Sequence, residues 1–240
     1  MEFTGERPTL EHEIQSSRIR YKTIIPYCIN KRVLDIGCGV GHGSYLLSKF
    51  ALYVTGIDVS YEAITEAQQT FKTSNLTYLH SKHLDDISEL HANLISMVEV
   101  FEHIEPEQVP NFLTIAAKIK EIVLTTPNGD LFPYHPATKE ERRGYHVWHY
   151  TYDELVILFK KYFSFVEVTG HVYDPLLKAF TGYTVYATNN LDWKDSILLE
   201  SRPEESDKCS FCAGSGFSDT YRGPDYGYEC EKCNGTGKSK

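Results

Sequence analysis

The sequence contains no apolar segment approaching the roughly 18 to 20 consecutive residues that a membrane-spanning helix needs. Its first residues, MEFTGERPTLEHE, also lack the basic and then apolar pattern of a signal peptide, so we expect a cytoplasmic protein. Basic residues are too few to balance the acidic ones, since 24 Lys and Arg against 33 Asp and Glu give a formal net charge of -9. This balance disfavours binding to a nucleic-acid backbone, which depends on Lys and Arg, although it is compatible with a local basic patch.

Two common nucleotide-binding motifs are missing from the glycine-rich segment near residue 40. In a dinucleotide-binding GxGxxG motif counted from Gly37 or Gly39, the third glycine would occupy position 42 or 44, where the chain has His42 and Ser44. The same glycines are not followed by the Lys-Ser or Lys-Thr pair of a P-loop. Neither type of nucleotide site is therefore expected at this segment.

The chain does contain a regular alternation of short apolar strands and helical segments. Strands are predicted at 32–37, 53–58, 76–80, 93–98 and 121–126, with helices between them. This alternation is typical of βαβ units, in which a parallel sheet is covered by helices on both faces. Two more strands are predicted at 164–171 and 183–188. We therefore predict an α/β domain over residues 1–190, a linker over 191–207 and a small tail over 208–240.

The first predicted strand leads directly into a glycine-rich loop, VLDIGCGVGHG, with the pattern DxGxGxG. Its members are Asp35, Gly37, Gly39 and Gly41. Glycines let the backbone approach a ligand closely, and the N-terminus of the following helix presents free N–H groups to an anionic group. The second strand ends at Asp58, 21 residues after Gly37, where an acid can accept hydrogen bonds from both hydroxyls of a ribose.

These segments resemble motifs I and II of the class I S-adenosylmethionine-dependent methyltransferases. The resemblance covers about residues 3–188, and it implies a Rossmann-like sheet of seven mostly parallel strands and S-adenosylmethionine as the cofactor. The cofactor-binding residues that it implies are Asp35, Gly37, Gly39, Gly41, Asp58 and Arg20. The segments GERP, RIRY, VEVFEHI, TTPN and HVWHYTYDEL resemble, in order, methyltransferases of glycan gene clusters and the ubiquinone-pathway O-methyltransferases.

The segment VEVFEH after the fourth strand carries three candidate catalytic residues, Glu99, Glu102 and His103. If it is helical, positions i, i+3 and i+4 share one face, so the three side chains should point the same way. One interpretation makes His103 or His146 a general base for a hydroxyl acceptor. In a second, Glu99, Glu102, His103 and His146 bind a divalent cation such as Mg²⁺, which lowers the pKa of that hydroxyl. In a third, Glu102 and Glu105 only favour the N-terminus of a helix predicted to begin near Pro106, and His103 only packs.

A long segment, LFPYHPATKEERRGYHVWHY, lies between the fifth strand and the next helix and is rich in aromatic residues and histidines. They are Tyr134, His135, Tyr145, His146, Trp148, His149 and Tyr150. Two interpretations stay open, an acceptor pocket with its lid or a hydrophobic cover over the sheet. The charged run KEERR is predicted to be a solvated face. The ExxEH pattern followed by His146 also resembles the small-RNA 3'-terminal 2'-O-methyltransferases.

The tail contains two CxxCxGxG segments, CSFCAGSG and CEKCNGTG. Their cysteines are Cys209, Cys212, Cys230 and Cys233, and four thiolates at this spacing favour a tetrahedral Zn²⁺ without an open position. The pattern resembles half of the cysteine-rich region of DnaJ chaperones. We expect a structural zinc ribbon that contacts a protein partner, the acceptor or a second subunit, with a redox CxxC pair or unligated cysteines as the alternatives.

The sequence as a whole is interpreted as an S-adenosylmethionine-dependent methyltransferase. The expected acceptor is an oxygen of a sugar-like, glycan or other small molecule. Metal-dependent 2'-O-methylation of RNA is the first alternative, and a non-catalytic adaptor that keeps the fold is the second. The intact DxGxGxG loop and Asp58 argue against the adaptor, because an adaptor has no need of a cofactor site.

Overall fold

The computed structural model describes residues 10–82, 90–142 and 145–190. The chain forms a seven-stranded sheet in the order β3-β2-β1-β4-β5-β7-β6. The strands are β1 (Arg32–Ile36), β2 (Tyr53–Asp58), β3 (Leu76–His80), β4 (Leu94–Val98), β5 (Glu121–Pro127), β6 (Phe165–Asp174) and β7 (Ala179–Thr188). Strands β1 to β5 pair in parallel, whereas β7 is antiparallel to both of its neighbours. The predicted mostly parallel methyltransferase-like sheet is confirmed.

Helices cover the sheet on both faces, as the alternation of strands and helices predicted. The α-helices in the described ranges are α1 (Leu10–Cys28), α2 (His42–Ser48), α3 (Tyr61–Thr70), α4 (Val109–Ile119) and α5 (Tyr152–Phe159). Leu34 of β1 belongs to one buried cluster with Phe112 of α4. Its neighbour Asp35 instead accepts hydrogen bonds from Tyr21 of α1 and Ser44 of α2. Because successive strand residues point to opposite faces, α1 and α2 lie across the sheet from α4.

The strand order places the loops after β1 and β4 next to each other. From β1 the chain proceeds outward to β2 and β3 and then returns to β4 on the other side of β1. Ile36 at the end of β1 is in register with Met97 near the end of β4. In open α/β sheets, ligands bind at such a reversal, beyond the carboxyl ends of the strands. The glycine loop and the VEVFEH segment both begin at this point.

The bounds of three elements, α4, β6 and β7, differ clearly from the sequence prediction. Helix α4 begins at Val109 rather than near Pro106, because a 3₁₀ turn at Phe101–His103 and a bend precede it. Strands β6 and β7 are each 10 residues long and form a hairpin whose pairing extends to Asp174 and Ala179. Antiparallel pairing at an edge needs only backbone hydrogen bonds, so the hairpin continues past the apolar pattern that marks its core.

The predicted linker over 191–207 and the tail over 208–240 lie outside the described residues. The proposed zinc ligands Cys209, Cys212, Cys230 and Cys233 lie there as well, so the zinc ribbon stays a prediction. Of the helices in the described ranges, none is both long enough and apolar enough to cross a lipid bilayer.

Candidate active site

The glycine loop after β1 is built from left-handed backbone conformations. Gly37, Gly39 and Gly41 have φ angles of 73°, 54° and 89°, which L-residues with a Cβ adopt at a cost. A Cβ on Gly37 would also overlap a methyl group of Val100, which follows β4. The loop therefore needs glycine for its conformation and for its close contact with the neighbouring segment.

Asp58 connects the glycine loop to the end of β2. Its Oδ2 accepts a hydrogen bond from the Gly39 N–H at 2.8 Å, and its Oδ1 accepts one from the Ser60 N–H at 2.8 Å. A carboxylate oxygen has two lone pairs, so each oxygen can accept one further hydrogen bond. Asp58 is thus oriented by the backbone of two loops and still able to accept hydrogen bonds from a diol.

Asp35 lies beneath the loop rather than on its surface, with an exposed fraction of 0%. Its carboxylate accepts hydrogen bonds from the hydroxyls of Ser44 at 2.6 Å, Ser96 at 2.8 Å and Tyr21 at 3.0 Å. Burial raises the pKa of Asp35 to about 6, although the three hydroxyls oppose the shift. The side chain that the sequence suggested as a cofactor ligand therefore connects β1, β4, α1 and α2 below the loop.

We expect Asp35→Asn to change the pH dependence of stability. Because the folded-state pKa is raised, Asp35 contributes stability below its unfolded pKa near 3.9, and this contribution is lost as the pH rises to about 6. The unfolding free energy of the wild type relative to the variant should therefore fall by about 2 kcal/mol between pH 4 and pH 7. Urea unfolding at both pH values measures this change, and a constant difference would contradict it.

The VEVFEH segment does not form the single helix face expected from its spacing. Only Phe101–His103 form a 3₁₀ turn, and Glu99 has a left-handed φ of 55°. The prediction of a common helical face was wrong, because β4 ends at Val98 and the chain turns sharply to enter the next connection. Tertiary contacts rather than helical periodicity position the acidic residues.

Glu99 contacts Arg20 and β5. Arg20 Nε lies 3.4 Å from Glu99 Oε2, and the Thr125 hydroxyl donates to Glu99 Oε1 at 2.9 Å. Burial raises the pKa of the Glu99 carboxyl, with the Arg20 charge acting in the opposite direction. The two residues that the sequence assigned to different roles, cofactor binding and catalysis, thus form an ion pair at the edge of the crevice.

Glu102, His103 and His146 come together in the fold, although Glu102 and His146 are 44 residues apart in the sequence. One possible ligand atom from each residue lies within 4.8 Å of those from the other two. Glu99, the fourth residue expected in this group, is not a member of the cluster found among the described residues. The rings of His103 and His146 meet edge to face, with centroids 4.9 Å apart. The structure therefore assembles three of the four predicted residues into one group.

Glu102 is a fully buried carboxyl in this group, with an exposed fraction of 0%. Its Oε2 accepts a hydrogen bond from the Thr126 hydroxyl at 3.2 Å, but its Oε1 has no hydrogen-bond partner among the described residues. Burial, together with the charge of Glu99, raises the pKa of Glu102 well above its ordinary value. A buried carboxylate oxygen of this kind is costly unless a cation or a proton compensates it.

The surroundings of the two imidazoles limit where each can carry a proton. His103 Nδ1 lies 2.9 Å from the carbonyl oxygen of Tyr145, and since a carbonyl only accepts, Nδ1 carries the proton. The lone pair of neutral His103 is then on Nε2. Burial and the neighbouring histidines lower the pKa of His146 to about 4, so at neutral pH its ring is uncharged and a weak proton acceptor. These properties suit a metal ligand better than a general base.

The histidine-rich segment is held against VEVFEH by its backbone and by an ion pair. The N–H groups of Val147 and Trp148 donate to the carbonyl oxygen of Glu102 at 2.8 and 3.2 Å. Arg142 makes two hydrogen bonds to the carboxylate of Glu105, at 2.8 and 2.7 Å. The prediction that KEERR is only a solvated face was wrong at Arg142. This bidentate pair joins the histidine-rich segment to the chain just after His103.

The aromatic residues of this segment divide between the two predicted roles. Val147 and Tyr150 are buried. The Tyr150 ring packs against that of Phe101 in the core, with the ring centroids 5.0 Å apart. Tyr145 is exposed, whereas Trp148 is half-buried. The centroids of the Trp148 and His135 rings are 4.3 Å apart. Tyr150 therefore packs in the core over the sheet, whereas the Trp148 ring lies against that of His135.

The sequence profile of a family described as methyltransferase domain matches residues 17–176, about two thirds of the chain. The chain belongs to this family. The match begins within α1 and ends in the β6–β7 hairpin, so it includes the glycine loop, Asp58 and the group around Glu102. The methyltransferase family predicted from the motifs is confirmed.

The methyltransferase domain has relatives among characterised proteins and solved structures. It is 30% identical over 125 residues to a ubiquinone biosynthesis O-methyltransferase of Aromatoleum aromaticum, covering 50% of each protein. It thus spans about half the length of this relative. Its fold resembles a SAM-dependent methyltransferase of Archaeoglobus fulgidus, with a TM-score of 0.59, 18% identity and coverage of 74% of this chain and 97% of that one. It also resembles the methyltransferase domain of a bacterial Hen1 protein, with a TM-score of 0.55, 20% identity and coverage of 73% and 99%.

Proposed function

We infer that the protein transfers a methyl group from S-adenosylmethionine to a hydroxyl oxygen of a small acceptor, with a divalent cation at Glu102, His103 and His146. The observation that carries this inference is the fully buried Glu102 carboxyl. One of its oxygens is without a hydrogen-bond partner in the described structure, and two imidazoles lie beside it. The name of the Aromatoleum relative supports oxygen as the receiving atom.

The cofactor would lie across the carboxyl ends of β1, β2 and β4. When bound, S-adenosylmethionine supplies an electrophilic methyl group that leaves its sulfonium in an in-line displacement. Asp58 is placed to accept the two ribose hydroxyls, since the Gly39 and Ser60 N–H groups orient its carboxylate without occupying all its lone pairs. The Arg20 and Glu99 ion pair bounds the crevice, and we assign it to the methionine end of the cofactor.

The residues present fit a divalent cation. Nitrogen donors from two histidines and an oxygen from one glutamate form a ligand set that many first-row metals accept. When bound there, such a cation lowers the pKa of a coordinated acceptor hydroxyl. The Thr126 hydroxyl orients the Glu102 carboxylate, and the Tyr145 carbonyl holds the proton of His103 on Nδ1. The protein thereby presents its ligands in one orientation.

The acceptor is inferred to be small and sugar-like or aromatic rather than a nucleic acid. The net charge of -9 disfavours a polyanion, and the half-buried Trp148 ring with the exposed His135 ring against it can pack on a flat or ring-shaped molecule. The predicted zinc tail stays a separate expectation, because its cysteines lie outside the described residues. RNA 2'-O-methylation is retained as an outcome of the test below.

The test supplies methyl-labelled S-adenosylmethionine and a host extract to the purified protein, with and without a chelator mild enough to spare a Cys₄ zinc site. We expect label in the small-molecule fraction, lost with the chelator and restored by Mg²⁺ or Mn²⁺. Label in the RNA fraction would contradict a small acceptor and support 2'-O-methylation of RNA. Transfer that the chelator leaves unchanged would contradict the cation and favour a histidine base.

A further inference from the structure

His149 occupies a place in the structure that the mechanism above does not use. Its Nε2 lies 2.6 Å from His146 Nδ1, and its own Nδ1 lies 2.7 Å from the carbonyl oxygen of Phe132. The ring is half-buried, and burial lowers its pKa as well. His149 thus connects His146, which belongs to the cluster with Glu102, to the backbone carbonyl of Phe132.

The direction of these hydrogen bonds follows from the carbonyl. The Phe132 oxygen can only accept, so the proton of His149 is on Nδ1 and its Nε2 carries a lone pair. That lone pair must accept, so His146 donates from Nδ1. A neutral imidazole has one N–H, and the lone pair of His146 is therefore on Nε2.

The carbonyl is itself held in place by a rigid turn after β5. Asn128 is buried, and its Oδ1 accepts hydrogen bonds from the N–H groups of Asp130 and Leu131 at 2.9 and 3.1 Å. The Phe132 N–H donates to the Asn128 carbonyl oxygen at 2.8 Å, and Asn128 Nδ2 donates to Phe180 at 2.8 Å. The turn therefore leaves the Phe132 carbonyl little freedom to release His149.

We propose that His149 is a positioning residue that sets the tautomer of His146 through this relay from Phe132, so that the lone pair of His146 lies on Nε2, the atom that would bind a cation. The proposal rests on the proposed function for the identity of the ligand, but the tautomer itself is a property of the metal-free protein. Partners of metal-ligating histidines typically affect metal affinity by about 10- to 100-fold.

The first experiment records long-range ¹H–¹⁵N correlations of the metal-free protein labelled with ¹⁵N-histidine, with His146 assigned from the spectrum of His146→Gln. The expected spectrum shows a protonated Nδ1 and an unprotonated Nε2 for His146. A proton on Nε2 would overturn the proposal. If the expected tautomer is present but Mn²⁺ does not bind, the relay stands and the metal site of the proposed function fails.

The second experiment measures Mn²⁺ binding by electron paramagnetic resonance of His149→Phe and His149→Gln. Phenylalanine keeps a ring but has no acceptor, so the Mn²⁺ affinity should fall about 10- to 100-fold. Glutamine can donate its amide N–H to Phe132 and accept from His146, so it should bind within a few-fold of the wild type. The exposed His91, on the amino-terminal side of β4, supplies the control His91→Gln with unchanged affinity. Equal losses in the two His149 variants, or none in His149→Phe, would overturn the relay.

Discussion

Glu102→Gln should abolish metal-dependent methyl transfer and yet make the metal-free protein more stable. The substitution keeps the size of the side chain and the Thr126 hydrogen bond but removes the buried charge. Removing a residue that hydrogen-bonds to a metal ligand lowers metal affinity by roughly 10- to 100-fold. We expect the Mn²⁺ affinity of Glu102→Gln to fall by more than this, because the ligand itself is removed. We also expect the unfolding free energy at alkaline pH to rise by about 1 to 3 kcal/mol.

The sign of the stability change follows from the direction of the pKa shift. Burial raises the pKa of Glu102, so the folded state favours the protonated carboxyl and loses stability as the pH rises through the folded-state pKa. The gain from glutamine should therefore be small in acid and grow toward alkaline pH. Glu107 is exposed and lies in the same connection between β4 and α4, so Glu107→Gln serves as the control. Neither the Mn²⁺ affinity nor the unfolding free energy should change in this variant. Unaltered Mn²⁺ binding by Glu102→Gln would exclude this carboxyl as a ligand.

Gly37→Ala should weaken cofactor binding and destabilise the fold at the same time. The left-handed φ of 73° costs an L-residue about 1 to 2 kcal/mol, and the new Cβ overlaps Val100. Overpacking of this kind adds about 1 to 3 kcal/mol, so the unfolding free energy should fall by about 2 to 5 kcal/mol. Because Val100 directly follows Glu99, we also expect affinity for S-adenosylhomocysteine to fall at least about 10-fold.

A double-mutant cycle with Val100→Ala separates the two causes. Removing the Val100 methyl groups gives space to the Cβ at position 37, so the double variant should recover the steric part of the loss and keep the backbone part. Urea unfolding and calorimetric titration with S-adenosylhomocysteine measure both effects. Additive losses in the cycle would show that Val100 is not the obstacle.

Local patterns were sufficient to predict the fold. The alternation of strands and helices, the glycine loop after the first strand and Asp58 at the end of the second are all short-range features. They predict a parallel sheet because a chain that alternates in this way has few other means of burying its apolar strands. The parallel pairing of β1 to β5 agrees with that prediction, whereas the strand order and the antiparallel direction of β7 do not follow from the alternation alone.

The sequence by itself also determined which residue types occupy the site, because Glu102, His103 and His146 stand at the ends of predicted strands and in the loop beside them. Only the tertiary structure decided what each does. Glu102 is buried, the N–H groups of residues 147 and 148 bind its backbone carbonyl, and Arg142 contacts Glu105 from 37 residues away. The contact of His146 with His149 could not be predicted, since these residues lie in a segment without regular secondary structure, where no periodicity fixes the direction of a side chain. Local periodicity specifies the elements, whereas burial and pairing depend on contacts between segments distant in the chain.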